Sequence, residues 1–390
     1  MIPSLAQRTH ALQPSQTLDV LEKVAALRRQ GIKITSFSNR PGTPPEVVEA
    51  ARAALGESWS AAYTDARGLP ALRTAIAAQA ARFNSITADP ETEILVTIGA
   101  KGAIHLAMLA LLNPGDEVLL SDPAWVSYEP CIALAGGHIV RYPLREENGY
   151  QPDVKDIEAR ITPRTKMIVI NTPHNPTGAV FSDLSLRGIA DLAQRENLFV
   201  LSDEVYEHFV YDGHKHLSIG ALPGMKERTI TISGTSKIFN MFGWRVGWAI
   251  ADQRIIDAMA NIQQNTSACA TSFAQAGTVA ALHLGIAAAE RRVVQYHKAR
   301  NALVAGLNAI PGVSCHMPVG AYFAFTNVSK LGRNSDEVAR ILLERGGVQS
   351  VAGSAFGPSG EGYIRLIFAC TPNDVHEGLK NLTAVLEQPS

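Results

Sequence analysis

The strongest constraint on the fold lies between residues 94 and 250, where short apolar runs alternate with helical segments. ILVTI (94–98) leads into the helical run AIHLAMLALL, and the turn, strand and loop of NPGDEVLLSDPAWVSY (113–128) are followed by a helix and strand in CIALAGGHIVRYPL. MIVIN (167–171) precedes LSLRGIADLAQREN, and LFVLSDEVYEHFV (198–210) reads as a strand whose tail carries Asp203, Glu204 and Tyr206. A β-branched run then opens TITISGTSKIFNMFGWRVGWAI (229–250). Continuous apolar runs suit strands buried on both faces, and parallel neighbours need a crossover, usually a helix. The alternation therefore predicts an α/β fold with a mostly parallel sheet covered on both faces.

The flanks carry a different pattern. Residues 19–30 place Leu21, Val24, Ala25 and Arg28 at helical spacing, with Asp19 and Glu22 as a capping pair and Gly31 as the stop. A short strand is expected at Ile32–Phe37, a loop at 38–45, and helices at 46–55 and 71–83 around the irregular segment YTDARGLP. After Ile250, helical patterns run over 253–263 and 273–309 with a break near 284–287, and GVSCHM, AYFAFTNV and YIRLIFA read as strands, with a helix at 336–345. A length of 390 residues is more than one ordinary domain. The expected organisation is a large domain over 41–275 whose mostly parallel sheet is covered by helices, a smaller α+β domain over 276–390, and an N-terminal segment, 1–40, packing with the small domain.

Charge and cysteine usage exclude several classes. A net charge of −1 with no basic run argues against bulk nucleic-acid binding. Cys131, Cys269, Cys315 and Cys370 show no metal-binding spacing and read as reduced structural cysteines of a cytoplasmic protein. The first 20 residues lack a signal-peptide core, no segment has the length of an apolar span, and neither repeats nor low-complexity tracts are visible. No metal site and no membrane partner are expected.

The candidate chemistry gathers at predicted strand ends. Asn175, Asp203, Tyr206 and Lys237 stand where a parallel sheet brings its strand ends to one crevice. Lys237 alone reads as an ordinary surface lysine; its company changes that reading. A buried carboxylate such as Asp203 takes up a proton unless it has a cationic partner, and a heteroaromatic ring nitrogen is one. The turn Gly99-Ala100-Lys101-Gly102-Ala103 after a strand is either a tight connection or, with its free amides and helix dipole, an anion site. It is neither GxGxxG nor a P-loop. Trp125 is either a core residue or a flat face for a planar ligand. With Trp125 as a stacking face, and with Arg245 and the Gly99–Ala103 turn as a phosphate cradle, the set fits pyridoxal 5′-phosphate.

On these residues the chain resembles the fold-type I pyridoxal-phosphate-dependent aminotransferases of the class I/II family, and their aspartate-aminotransferase-like subgroup in particular. The most specific pieces are SGTSK with Arg245 eight residues on, NPTG (175–178), SDEVY (202–206) and YTDARGLPALR; LQPSQTLDVLEKVAALRRQG matches the subgroup's N-terminal segment. The resemblance covers nearly the whole chain. It implies that Lys237 forms the Schiff base with the cofactor and shuttles protons. It implies that Asp203 keeps the pyridine nitrogen protonated, that Asn175 and Tyr206 hydrogen-bond O3′, and that Trp125 stacks on the ring. Gly99, the Ala100 and Lys101 backbone, Ser236 and Arg245 become phosphate contacts. Tyr63 becomes the tyrosine that reaches the neighbouring site of a homodimer. Arg365 grips the substrate α-carboxylate, with Asn175, Trp125 and Asn39 as further substrate contacts.

The sequence also departs from the pattern. A serine is frequent three residues before the lysine; Gly234 stands there, which leaves Ser233 or Ser236 to serve. SFSNRPGTPP replaces the usual Gly-x-Gly-x-Pro-Asp, and places Asn39 and Arg40 over the expected substrate position. Arg40 reads either as a solvated loop residue or as a reader of acidic side chains. His174 is expected to shape its loop, and His208, His214 and His216 to lie in a solvated turn. The resulting function is transfer of an amino group from an L-amino acid to a 2-oxo acid. The alternatives are a lyase reaction on the same scaffold (β-elimination or decarboxylation) and a non-catalytic regulatory homologue. Substrate choice is expected to lie in loops near 15–17, 38–43 and 265–272.

Overall fold

The computed structural model describes residues 4–6, 9, 12, 14, 16–38 and 42–387. A seven-stranded sheet dominates it. The strands are β1 (Ile94–Ile98), β2 (Glu117–Asp122), β3 (His138–Pro143), β4 (Thr165–Asn171), β5 (Phe199–Asp203), β6 (Thr229–Gly234) and β7 (Val246–Ile250), in the spatial order β1-β7-β6-β5-β4-β2-β3. From β6 to β3 every pairing is parallel. β7 runs antiparallel to both β6 and β1. The connection from β6 to β7, residues 235–245, holds only a four-residue helix and a 3-10 turn. That is too short to cross the sheet and return to the same edge, so the chain doubles back beside β6.

Helices cover both faces, and the strands supply both cores by alternation. Leu95, Val118, Leu120, Met167, Val169, Leu201 and Ile232 pack on one side against helices α4 (Gly99–Leu111), α5 (Tyr128–Leu134) and α9 (Gln253–Thr266), numbered in chain order. Leu119, Ile168, Ile170 and Val200 face the other side, against α7 (Asp183–Arg195). The intervening helices are α1 (Gln16–Arg29), α2 (Pro45–Leu55), α3 (Pro70–Phe83), α6 (Val154–Glu158) and α8 (Thr235–Ile238). Proline opens both α2 and α3, where its missing N–H costs nothing.

A second, antiparallel sheet follows, in the order β10-β11-β9-β8, from β8 (Ser314–Cys315), β9 (Phe323–Asn327), β10 (Val351–Ala352) and β11 (Tyr363–Ile367). Helices α11 (Ala287–Asn308), α12 (Ser335–Gly346) and α13 (Pro372–Leu386) bury Leu303, Leu307, Leu342 and Leu382 against it. Helix α10 (Ser272–Leu284) passes through the expected division at 275/276 and packs Ala274 with Ile76 of α3 and Trp248 of β7.

Several local expectations are corrected. α1 begins at Gln16, so Asp19 does not cap it; Asp19 lies within the first turn and pairs with Lys23 at 2.8 Å. The helix buries only Val24, which clusters with Ile34 and Leu343 of α12. No strand forms over Ile32–Phe37; the segment makes one bridge, Thr35 to Val348. β5 stops at Asp203, so Tyr206 stands on the turn that follows rather than on the strand. Among the described residues no single helix is long and apolar enough to cross a membrane.

Candidate active site

Parallel strands β4 and β5 end together at Asn171 and Asp203, which are paired in register. The next residues of each strand turn outward, and the loop after β4 carries Asn175. Asn171 ties the two ends together: its Nδ2 donates to the Asp203 carbonyl at 2.9 Å and its Oδ1 accepts the Asn175 amide at 2.8 Å. Asp203 itself is 3% exposed. Burial pushes its pKa up from 3.8 to about 6, against the pull of the Tyr128 hydroxyl, the Val205 amide and the Lys237 charge. Tyr128 donates to Oδ2 at 2.6 Å and the Val205 amide to Oδ1 at 3.3 Å. A carboxylate held this way gains from a further cation brought to it.

Lys237 stands on α8, directly after β6. Its Nζ lies 5.5 Å from the centre of the Tyr206 ring and 4.7 Å from that of Phe242. Tyr206 is braced edge-on by Tyr322 and Phe323, which precede and open β9. The small sheet thus reaches the edge of the large one. It also sends Arg365, on β11, to donate from Nη1 to Asn175 Oδ1 at 2.8 Å. The Arg365 guanidinium is held between the rings of Phe323 and Phe356, 4.6 and 4.7 Å from their centres.

The opposite end of the site suits an anion. α4 has no side-chain cap at Ile98, so its first-turn amides are open to a ligand. Arg245, in the left-handed region at φ 56, donates from Nη1 to the Phe242 carbonyl at 2.9 Å. Its guanidinium lies over Gly99, where a Cβ would stand 2.3 Å from Nη2. Gly99, at φ +71, is suited to glycine by its backbone, and a Cβ there would displace the end of the Arg245 side chain.

Between these ends opens a cavity of about 980 Å³. Asn175, Asp203, Tyr206, Lys237, Arg245 and Arg365 line it. Ala100, Lys101, Trp125 and Ser236 complete its wall, with Leu18, Leu21 and Arg28 of α1 at one side. Trp125 is neither solely core nor free: its ring lines the cavity, meets Tyr128 edge-on at 5.3 Å, and has the Lys101 ammonium 5.4 Å away. The residues fit pyridoxal 5′-phosphate, with open amides and a guanidinium at one end, a buried carboxylate in need of a cation, an aromatic face and an amine.

The remaining candidates fall elsewhere. Ser233 does not line the cavity, because strand alternation turns its hydroxyl to Glu207 at 2.8 Å. Tyr63 is 86% exposed and takes no part in this chain's own cavity. Asn39 and Arg40 lie outside the described residues. His174 is buried, pairs Nδ1 with Thr177 Oγ1 at 2.8 Å and stacks on Phe181; burial pushes its pKa down to about 3. His216 is not in a solvated turn. Its Nε2 meets Glu204 at 2.8 Å, and Glu204, Glu207 and His216 bring ligand atoms within 4.8 Å of one another. Ser202, Ser218 and Asn84 donate to Glu204, and Asn84 and Ser233 to Glu207, so hydrogen bonds take up these carboxylates. Burial works to lower the His216 pKa, but Glu204 prevails and holds it above its ordinary value.

Sequence reasoning missed Asn171, Tyr128, Phe242 and the Tyr322–Phe323 brace. Tyr128 is brought beside Trp125 by a turn that closes with the Tyr128 amide donating to the Trp125 carbonyl at 3.2 Å.

Comparison with known proteins agrees with this geometry. The profile of the family described as aminotransferase class I and II matches residues 31–382. Aromatic-amino-acid aminotransferase 2 of Thermococcus litoralis is 36% identical over 390 residues, covering 99% of each chain. The aspartate aminotransferase of Pyrococcus abyssi is 37% identical, again over 99% of each. The solved aspartate aminotransferase of Thermus thermophilus with maleate superposes with a TM-score of 0.93 at 36% identity, covering 98% of this chain and 100% of the other. With the motifs, the two-sheet architecture and these full-length relatives in agreement, the chain belongs to the class I and II aminotransferase family, as an aspartate-aminotransferase-like enzyme of fold type I.

Proposed function

We propose that this aminotransferase holds pyridoxal 5′-phosphate in the cavity between the two sheets and uses it to move the amino group of an acidic or aromatic L-amino acid to a 2-oxo acid. The observation that carries the reading is the gathering of Lys237, Asp203 and the Arg365–Asn175 pair around one cavity. When bound, the cofactor supplies an electron sink for the charge that develops at the substrate Cα and a carrier for the amino group.

The chain's own residues divide the remaining work. Gly99, the Ala100 and Lys101 amides, Ser236 and Arg245 hold the phosphate. Trp125 covers the ring, Asn175 and Tyr206 bind its phenolic oxygen, and Asp203 keeps its charge against the ring nitrogen. Arg365 grips the α-carboxylate through charge-assisted hydrogen bonds, each contributing about 1.5–3 kcal/mol. Its clamping between Phe323 and Phe356 supports that role, because a fork held flat loses little freedom on binding. Lys237 takes the proton from Cα and returns it to the acceptor side, the step for which an amine at the centre of the cavity is suited.

The donor class is supported by two observations. The relatives bear the names of aspartate, aromatic-amino-acid and aspartate/prephenate aminotransferases. The cavity wall carries cations, Lys101 and Arg28, beside the apolar Leu18, Leu21 and Phe242. We further infer a homodimer, supported by the exposure of Tyr63 and Trp59 on the same loop, and a cytoplasmic protein, supported by four cysteines without disulfides. The domain division is 1–40, then a large unit, then a small one; the packing of α10 on the large sheet favours a break at Gly285 rather than at 275.

The test is a single half-reaction. Purified protein loaded with pyridoxal phosphate is mixed with each L-amino acid in the absence of any oxo-acid acceptor. The reading requires one equivalent of 2-oxo acid per site and no ammonia for the donors it accepts. Continuous release of ammonia would replace it with a lyase function, and no reaction with any donor would overturn it.

A further inference from the structure

We infer that Tyr128 is a positioning residue for the reaction: its buried hydroxyl fixes the orientation and charge of the Asp203 carboxylate while its ring supports Trp125. The Asp203 carboxylate accepts from the Tyr128 hydroxyl at 2.6 Å and from the Val205 amide at 3.3 Å. Tyr128 is 1% exposed, and its hydroxyl lies 2.6 Å from Oδ2. An oxygen–oxygen distance of that length falls in the range of charge-assisted hydrogen bonds, so the hydroxyl favours the ionised carboxylate.

Placement on the fold makes this tyrosine effective. It opens α5, directly after the loop that carries Trp125. Its ring meets Trp125 edge-on at 5.3 Å with an interplanar angle of 84°. One residue thus contacts both the acid and the aromatic face of the site. The groups acting on this pair are Lys237 from α8, Glu204 and Tyr206 from the turn after β5, and Tyr142 from β3. Of these, Lys237 favours the Asp203 charge and Glu204 opposes it. Removal of the Tyr128 donor takes away the largest of the effects that favour the Asp203 charge, so its proton affinity rises.

The inference rests on the reading of Asp203 as partner to the ring nitrogen, and the experiment separates the two. Tyr128→Phe removes one oxygen and keeps the ring. Cofactor-free protein is titrated with pyridoxal phosphate and the dissociation constant read from tryptophan fluorescence; the pH dependence of kcat/KM is measured on the loaded enzyme. The expected result is a dissociation constant raised about tenfold or more, the loss typical of a hydrogen bond to a charged group. The acid limb of kcat/KM should move to higher pH, with little change in KM for the donor, since Arg365 is untouched. In an Asp203→Asn background, Tyr128→Phe should add no comparable loss of affinity. Replacing Tyr128 by 3-fluorotyrosine, which preserves shape and strengthens the donor, should move the acid limb the other way and covers the case in which Tyr128→Phe does not fold. Wild-type affinity and an unmoved acid limb in both variants, or an equal loss in the Asp203→Asn background, would overturn the inference. An Asp203→Asn protein with unaltered cofactor affinity would instead overturn the reading of Asp203.

Discussion

The buried Asp203 carboxylate is a cost to the cofactor-free fold, and Asp203→Asn should expose that cost as a gain in stability. Its pKa rises from 3.8 to about 6 on folding, chiefly through burial. A raised acid pKa means that the folded chain binds the proton more tightly than the unfolded chain does. Stability therefore falls as pH rises from the unfolded pKa towards the folded one, and the whole penalty is present above it. A shift of roughly two units corresponds to about 3 kcal/mol. Asparagine has nearly the same shape and no charge to desolvate, and it can still accept from Val205 while pairing with Tyr128. Whatever constant offset the amide introduces, the stability difference between variant and wild type should grow by about 2 kcal/mol in the variant's favour between about pH 4.5 and about pH 8, because about 1 kcal/mol of the penalty is already present at the lower end, where the unfolded carboxyl is largely ionised. Urea denaturation of both proteins, freed of cofactor and followed by tryptophan fluorescence across that range, reads the difference directly. A difference constant to within about 0.5 kcal/mol over the same range would refute the burial argument. The loaded proteins should show the opposite order of merit, since the variant has no charge to hold the ring nitrogen's proton and should lose most of its turnover.

Three further outcomes follow from the same geometry. Lys237→Ala should lower turnover by a factor of about a hundred to ten thousand, the usual worth of a positioned acid–base group, when single-turnover oxo-acid release is followed. Arg365→Ala should raise KM about tenfold or more for every donor, acidic or aromatic alike; an effect confined to one donor in a steady-state panel would reassign it to side-chain recognition. Gly99→Ala places a Cβ 2.3 Å from the Arg245 guanidinium at a positive φ. It should weaken pyridoxal phosphate about tenfold or more while leaving unphosphorylated pyridoxal little affected, as measured by equilibrium titration of the cofactor-free protein.

Where the sequence was legible, the reason is burial on two faces. Val118, Leu119 and Leu120 are all fully enclosed, and only a covered parallel sheet asks for such a run. The antiparallel β7 was illegible because TITIS and VGWAI look alike as strands; the short connector between them decides direction. The continuation of an apolar pattern through VYEHFV concealed the end of β5, since Tyr206 and Phe209 are buried against Tyr322 and the core of the small sheet rather than within β5. Ser233 and Ser236 were indistinguishable as phosphate contacts until the position at which β6 ends was known. One residue of shift reverses which hydroxyl faces the cavity and which faces Glu207. β10, two residues long, and the early start of α1 are set by packing against distant segments, which leaves no local pattern to read.

The departure at Gly234 has a steric reason in the same strand ends. A Cβ there would stand 3.1 Å from the Gly247 Cα and 3.2 Å from the Val246 carbonyl oxygen, both backbone atoms of the paired β7. A Cβ at Gly247 in turn would stand 2.3 Å from the Ala100 amide nitrogen at the start of α4. The two glycines thus allow β6, β7 and the head of α4 to close on one another, bringing the open amides of that helix beside Lys237 and Arg245. A serine at 234 would gain one hydroxyl and require the paired β7 backbone to give by a few tenths of an ångström. Ser236, one residue before the lysine and beyond the strand's end, lines the cavity without entering that contact.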